Sequence, residues 1–167
     1  NKKSYLSNLA NELKAEIVEH KNYIGGRYSV LSEVGMLPAE IMGLNEKKFK
    51  RLNYLINNRI FLNELIKNVS AILKFVKEKK FNSIILNYDN RSKNLFNWYQ
   101  QLVAESLGKK SRGILPVIST MPRDNHSLLQ LYLDGVKNNF FTFFSAQDAK
   151  SDMINSKFLQ KTHNYLK

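Results

Sequence analysis

The sequence predicts an α/β protein built on a mainly parallel β-sheet with helices packed on it. Three short apolar-centred runs, Phe81–Tyr88, Ile114–Ile118 and Asn139–Ser145, have the length and composition of buried strands. Two segments of helical periodicity separate them, and the order strand, helix, strand, helix, strand points to parallel neighbours joined by crossovers. The 167 residues suit one ordinary domain, with no internal repeat and no low-complexity linker to divide them.

Each element follows from local pattern. Leu6, Leu9 and Leu13 mark a helix from Ser4 to about Lys14, and Ala15–Glu19 is compatible with either a strand or more helix. Tyr23–Ser29 contains the glycine pair Gly25-Gly26 and reads as a loop. Ser32 is placed to cap a helix through Met36 and Ile41, with Pro38 near its start or kinking it and Gly43 at its end. Two helices, Lys47–Phe61 and Leu62–Lys80, come next. After the first strand, Leu95, Phe96, Trp98, Tyr99, Leu102 and Val103 trace a helix that Gly108 stops. Pro116 assigns the second strand to a sheet edge or end, because proline has no N–H for a ladder. Asp124 is placed to cap a last helix that runs through Leu128, Leu129, Leu131 and Leu133 to Gly135.

Composition removes several function classes. The absence of cysteine excludes disulfides and cysteine-ligated metal. No apolar run reaches the roughly 18 residues that a membrane span needs, and no apolar core follows the basic start to make a secretory signal. A cytoplasmic protein is the expectation. The formal charge of +12 invites a nucleic-acid reading, but lysine outnumbers arginine 20 to 6 and asparagine also occurs 20 times, a pattern of codon bias. The excess is local as well, since Asn45–Lys80 contributes +7 of it. That stretch carries the apolar ladder Leu62, Leu65, Ile66, Val69, Ile72, Leu73 and Val76, so its charges read as the solvated face of an amphipathic helix. Nucleic-acid binding is not expected, nor is a membrane partner.

Three clusters carry candidate chemistry, which an open α/β sheet is expected to place outside the carboxyl ends of its strands. In Gly25-Gly26-Arg27-Tyr28-Ser29, glycine admits a ligand close to the backbone and Arg27 supplies a fixed positive charge; a plain turn with a surface arginine has the same sequence. Gln101 and Glu105 stand four apart and share a helix face. Glu105 falls in the last turn, where the negative end of the dipole disfavours a charged carboxylate, a setting that suits a general base. An exposed helix-end glutamate is the plainer alternative. His126, if Asp124 is a cap, falls in a first helical turn, where the dipole favours neutral imidazole; a polar first-turn residue also needs no function. His20 and His163 sit among surface-like residues and are assigned nothing. No serine–histidine–acid set, metal-ligand spacing or phosphate-loop motif is present.

Taken together and in this order, the clusters resemble the glucose-6-phosphate isomerase family. Asn22-Tyr23-Ile24-Gly25-Gly26-Arg27-Tyr28-Ser29 through Gly35 is similar to the family's first signature. Trp98-Tyr99-Gln100-Gln101-Leu102-Val103-Ala104-Glu105-Ser106-Leu107-Gly108-Lys109 resembles its base-bearing helix in bacterial form. Gly113–Val117 and Asp124–Gly135 resemble its histidine region, so the likeness runs from about Lys14 to the end. It implies a three-layer, doubly wound sugar-isomerase (SIS) domain with helices on both faces. The implied reaction interconverts glucose 6-phosphate and fructose 6-phosphate through a cis-enediol. Residue by residue, the resemblance makes Glu105 the base that moves the proton between C2 and C1, and Arg27 the stabiliser of the enediolate. It makes His126 the group assisting ring opening, contributed across a homodimer from the neighbouring subunit. Gln101 and Gly26 become substrate contacts, and no metal or cofactor is implied.

Two family features are missing: the serine- and threonine-rich phosphate clamp of the first SIS domain, and the second signature with its glutamine and lysine. Lys150, Lys157, Lys161 and Lys167 lack that surrounding sequence. Residues 1–167 therefore read as one SIS domain, a fragment of a longer two-domain isomerase, expected to bind substrate poorly alone because the phosphate supplies much of the binding energy. Rival readings are another SIS activity on aminosugar phosphates and a non-catalytic or truncated SIS domain that binds sugar phosphates.

Overall fold

The computed structural model describes residues 4–147. Lys150, Lys157, Lys161, Lys167 and His163 lie outside the described residues. The chain opens with α1, Tyr5–Glu12, capped by Ser4, whose side chain accepts the Ser7 N–H at 3.2 Å. Ala15–Glu19 is neither strand nor further helix. Lys14 adopts a positive φ of 50°, which breaks the helix, and no strand of the sheet lies beside the segment. The glycine loop tightens into a 3-10 turn, Gly26–Leu31, that leads into α2, Glu33–Ile41. Ser32 is the cap of α2 by position only, because its hydroxyl donates to the Ser29 carbonyl at 2.8 Å instead.

A short α3, Glu46–Lys50, and a 3-10 stretch, Arg51–Asn57, precede α4, Arg59–Lys77. The sequence reading broke this region after Phe61. The structure breaks it at Asn58, whose amide oxygen accepts the Phe61 N–H at 3.0 Å and so caps the longer helix. The charged side of α4 is solvated as expected, but so is most of its apolar ladder. Ile72 and Val76 are half-buried, whereas Leu62, Leu65, Ile66, Val69 and Leu73 are exposed.

The sheet follows. Its strands are β1, Asn82–Asn87, then β2, Leu115–Thr120, and β3, Asn139–Phe144, with α5, Lys93–Leu107, and α6, Leu129–Asp134, in the two connections. The order is β2-β1-β3 and both pairings are parallel, with Ile84 opposite Val117 on one side and Phe141 on the other. Central β1 is buried from Ser83 to Asn87, as a strand covered on both faces must be. Pro116 sits on an edge strand, where its missing donor is tolerated.

Strand alternation assigns the helices to two faces. Phe140 and Phe144 point to one side, where Phe75 of α4 stacks at 5.1 Å and Phe96 of α5 meets the ring edge at 4.8 Å. Phe141 points to the other, against Tyr132 of α6 at 5.5 Å. On that second face Ile84, Leu86 and Met121 form the buried cluster, flanked by Val117 and Tyr132. The molecule is thus an α/β fold on a parallel sheet, as the alternation of elements predicted, with helices on both faces to make three layers, as the family resemblance implied. Among the described residues no helix is long and apolar enough to cross a membrane.

The last helix differs from the expectation. Asp124 does not cap a helix; it lies in a 3-10 turn, Arg123–Asn125, and α6 begins only at Leu129. The Asp124 carboxylate instead turns back to accept the Thr120 N–H at 2.8 Å and Arg123 Nε at 2.8 Å. It closes the end of β2, a task that competes with helix capping for the same two oxygens. Asp89 does the parallel job after β1, accepting from the Ser92 hydroxyl at 2.6 Å, Arg91 Nε at 3.0 Å and the Arg91 N–H at 3.3 Å.

These bonds hold both acids below the usual aspartate range, Asp89 chiefly through Ser92 and Asp124 chiefly through Arg123. A depressed folded value means the stabilisation is fully present above the ordinary carboxylate pKa and is lost as pH falls through the folded one. Thermal melts should therefore hold level down to about pH 4 and decline below it. A double replacement of Asp89 and Asp124 by Asn should lower the neutral-pH melting point and flatten that acid decline. An acid limb of unchanged slope would show that other groups control it.

Candidate active site

Helix α5 organises the site. With Gly108 as its C-cap, the spacing Trp98, Gln101, Glu105 puts these three side chains on one stripe, with Ser106 beside the last. The 3-10 turn that carries Arg27 lies against this stripe. The Trp98 indole donates to the Arg27 carbonyl at 2.8 Å, Arg27 Nε donates to the Ser106 hydroxyl at 3.0 Å, and Arg27 Nη1 donates to Glu105 Oε2 at 3.3 Å. Gln101 Nε2 donates to Glu105 Oε1 at 3.0 Å, so each carboxylate oxygen has a donor. Tyr28 completes the group: its hydroxyl hydrogen-bonds Ser106 at 3.0 Å and its ring lies 5.0 Å from the Arg27 guanidinium.

Two glycines shape the turn in different ways. Gly35, at the start of α2, lies so close to the turn that a Cβ there would stand 2.1 Å from the Val30 carbonyl oxygen. Its glycine is a packing requirement. At Gly26 a Cβ would meet nothing within 4 Å, and the backbone does not need the left-handed region. Apart from its two chain neighbours, nothing packs against this position.

The electrostatics follow from the contacts. The Arg27–Glu105 pair is partly solvated, with side-chain exposures of 25% and 49%, so water screens it and it adds little to the fold. Arg27 is held above the ordinary arginine value, first by Tyr28 and further by Glu105. The Tyr28 phenol is lowered, first by its bond to Ser106 and then by Arg27. A fixed cation beside a hydrogen-bonded, solvent-reaching carboxylate is able to move a proton while stabilising the charge that the removal leaves behind. Among the described residues no cluster of acids and histidines could hold a metal ion.

The structure brings Arg27, Gln101 and Glu105 into one neighbourhood, but toward the amino end of the sheet and not outside the carboxyl ends of its strands, where such clusters were expected. Phe96 packs at Phe144, the last residue of β3, whereas Gln100 donates to the carbonyl of Pro116, near the start of β2. Glu105 lies ~7 Å farther along α5, beyond the amino end of the strands. The turn bearing Arg27 is delivered to α5 from outside the sheet, so the strand-end rule does not govern it.

His126 is not brought into this group. It follows β2 at the carboxyl end, exposed, and its ring makes no hydrogen bond among the described residues. The length of β2, ~17 Å, separates the two ends. With no helix beginning at Asp124, the first-turn dipole argument for this histidine also falls. Sequence reasoning missed Trp98, Ser106 and Tyr28 as parts of the site. Trp98 shares the face of Glu105 by helical spacing, which was the available signal, whereas Ser106 and Tyr28 are only chain neighbours of Glu105 and Arg27.

The chain is similar to proteins of one family. The family model for phosphoglucose isomerase matches residues 11–121. A glucose-6-phosphate isomerase of Methanocaldococcus jannaschii is 34% identical over 138 residues, covering 77% of this chain and 33% of that protein. One of Campylobacter jejuni is 33% identical over 150 residues, covering 84% and 37%, and one of Mycoplasmopsis pulmonis is 38% identical over 125 residues, covering 71% and 29%. The chain spans about a third of the length of the curated relatives it matches. A crystal structure of a hypothetical protein from Thermus thermophilus superposes with a TM-score of 0.66 at 25% identity, over 83% of this chain and 35% of that one.

Proposed function

Because the chain belongs to the phosphoglucose isomerase family, we propose that it carries the base-bearing part of an active site that interconverts glucose 6-phosphate and fructose 6-phosphate. It would do so as the second SIS domain of a cytoplasmic two-domain isomerase. The observation that supports this most directly is the Arg27–Glu105 pair, which unites residues 78 positions apart in the order and chemistry the reaction needs. Glu105 removes the C2 proton of the open-chain sugar and returns it to C1, while Arg27 faces the enediolate oxygen charge. Gln101 orients the carboxylate through Oε1, leaving Oε2 to exchange Arg27 for substrate. No electron acceptor is required, because the C2 proton passes to C1, the O2 hydroxyl proton is replaced by one on O1 through the enediol, and the electron pairs shift within the sugar.

The position of His126 supports a shared site. It stands at the opposite end of the sheet from Glu105, so a histidine reaching the sugar would come from a second copy of the chain, as the family resemblance implies. Ring opening by that group precedes the proton transfer.

The test is isotopic. The protein expressed from its own gene, incubated with glucose 6-phosphate in heavy water, should form fructose 6-phosphate and carry deuterium into the position the base exchanges, read by NMR. A folded protein that neither converts the sugar nor exchanges its proton would remove the isomerase reading and favour a domain that only binds sugar phosphates.

Gly26 makes a separate prediction. Packing tolerates a methyl there, so Gly26→Ala should leave the unfolding free energy within about 0.5 kcal/mol of the parent's. If the open space is kept for substrate, KM should rise by about 10-fold, the equivalent of about 1.4 kcal/mol. An unchanged KM would show that no ligand approaches the backbone at this position.

A further inference from the structure

Ser106 transfers no proton in this reading, yet the polar contacts of the site converge on it. Its hydroxyl oxygen accepts Arg27 Nε at 3.0 Å and hydrogen-bonds the Tyr28 hydroxyl at 3.0 Å, from the residue next to Glu105. A serine inside a helix commonly turns its hydroxyl back to a carbonyl of its own preceding turn. Here it reaches across to a residue 79 positions away instead. Arg27 is gripped twice by α5, since Trp98 of the same helix holds its backbone carbonyl at 2.8 Å.

The geometry of guanidinium gives these grips a meaning. The group is planar, and a bond at Nε fixes rotation about its last side-chain torsion, which a bond at a terminal nitrogen alone does not. With Nε on Ser106 and Nη1 on Glu105, the plane is set and the base and the cation share one rigid support. Substrate entry that displaces Nη1 from Glu105 leaves the Nε bond in place. We propose that Ser106 is a positioning residue that holds the Arg27 guanidinium in the plane required for charge stabilisation, with Trp98 anchoring its backbone. The proposal rests on the isomerase reading for its catalytic consequence, but not for the contact itself.

Electrostatic stabilisation of a developing oxyanion depends on donors fixed before the reaction, and small displacements are costly. In the protein expressed from its own gene, Ser106→Ala should lower kcat by about 10- to 100-fold with KM within about 2-fold. Ser106→Thr, which keeps the hydroxyl, should restore most of the rate and guards against a loss that comes only from folding. A second readout does not need activity. The Arg27 Nε–H resonance, identified by its loss in Arg27→Lys, should exchange with solvent at least about 10-fold faster in Ser106→Ala than in the parent.

An active parent whose kcat is unmoved by Ser106→Ala, or an Nε–H whose exchange is unchanged, would overturn the positioning role. A parent without isomerase activity would instead refute the proposed reaction. In that event faster Nε–H exchange in Ser106→Ala upholds the positioning contact, and unchanged exchange overturns it.

Discussion

Glu105→Gln is expected to abolish nearly all isomerisation while leaving the fold intact. The amide keeps the size of the carboxylate, and its oxygen is able to accept from Gln101 Nε2 or from Arg27 Nη1. What it loses is the capacity to take a proton. Removing a positioned general base costs typically 10²–10⁴-fold, about 3–5 kcal/mol of transition-state stabilisation. Against that, the partly solvated Arg27–Glu105 pair adds little to folding. The two scales separate catalysis from structure. The variant should melt within a few degrees of the parent and still give the same far-ultraviolet circular dichroism, with kcat reduced by at least about 100-fold. A variant that keeps its rate would transfer the base to another residue and end the role assigned to Glu105.

Gly35→Ala should have the largest effect on stability among substitutions near the site. Its added Cβ would lie 2.1 Å from the oxygen, 2.7 Å from the carbon and 2.8 Å from the Cα of Val30. All three are backbone atoms, so no side chain can rotate away to relieve the contact. Either α2 must shift or the Gly26–Leu31 turn must, and that turn carries Arg27. We expect a loss of about 2–4 kcal/mol, seen as a melting point lower by roughly 6–12 °C. The displaced turn should also weaken the Arg27–Ser106 and Trp98–Arg27 hydrogen bonds, so the rate should fall further than stability alone explains. Gly26→Ala is the internal control, nine residues earlier in the same motif but without a neighbour to strike. Equal melting points for the two variants would contradict the packing described for Gly35.

The parts of the fold that were legible in the sequence are those whose cause is local. The strands β1 and β3 announce themselves by short apolar runs, and α5 by its periodicity and Gly108. Pro116 marks the edge strand. The misread parts are those in which one side chain has two possible partners. Asp124 has the composition of a helix cap, but its oxygens go to Thr120 and Arg123, and α6 starts five residues later. Asn58 sits amid polar residues and gives no stronger signal than its neighbours, although it ends one helical run and caps the next. Ala15–Glu19 has strand composition without a strand to pair with.

The candidate site divides in the same way. The identities of Arg27, Gln101 and Glu105 were readable because the motifs name them. Their location at the amino end of the sheet was not, since it depends on how far α5 runs back along β2 and on a turn delivered from elsewhere in the chain. Ser106 was passed over because serine is common on helix surfaces, and only the tertiary contact with Arg27 distinguishes it.

Trp98 also makes the site visible to light. It is the sole tryptophan of the chain, so its indole emission, excited at the red edge where tyrosine absorbs little, arises at a single place. That place is hydrogen-bonded to the backbone of Arg27. An indole N–H bound to a peptide carbonyl emits differently from one bound to water, so the intensity and colour of the emission follow the separation of the turn from α5. Rapid mixing with a sugar phosphate would then time the seating of the ligand beside this anchored indole without any label.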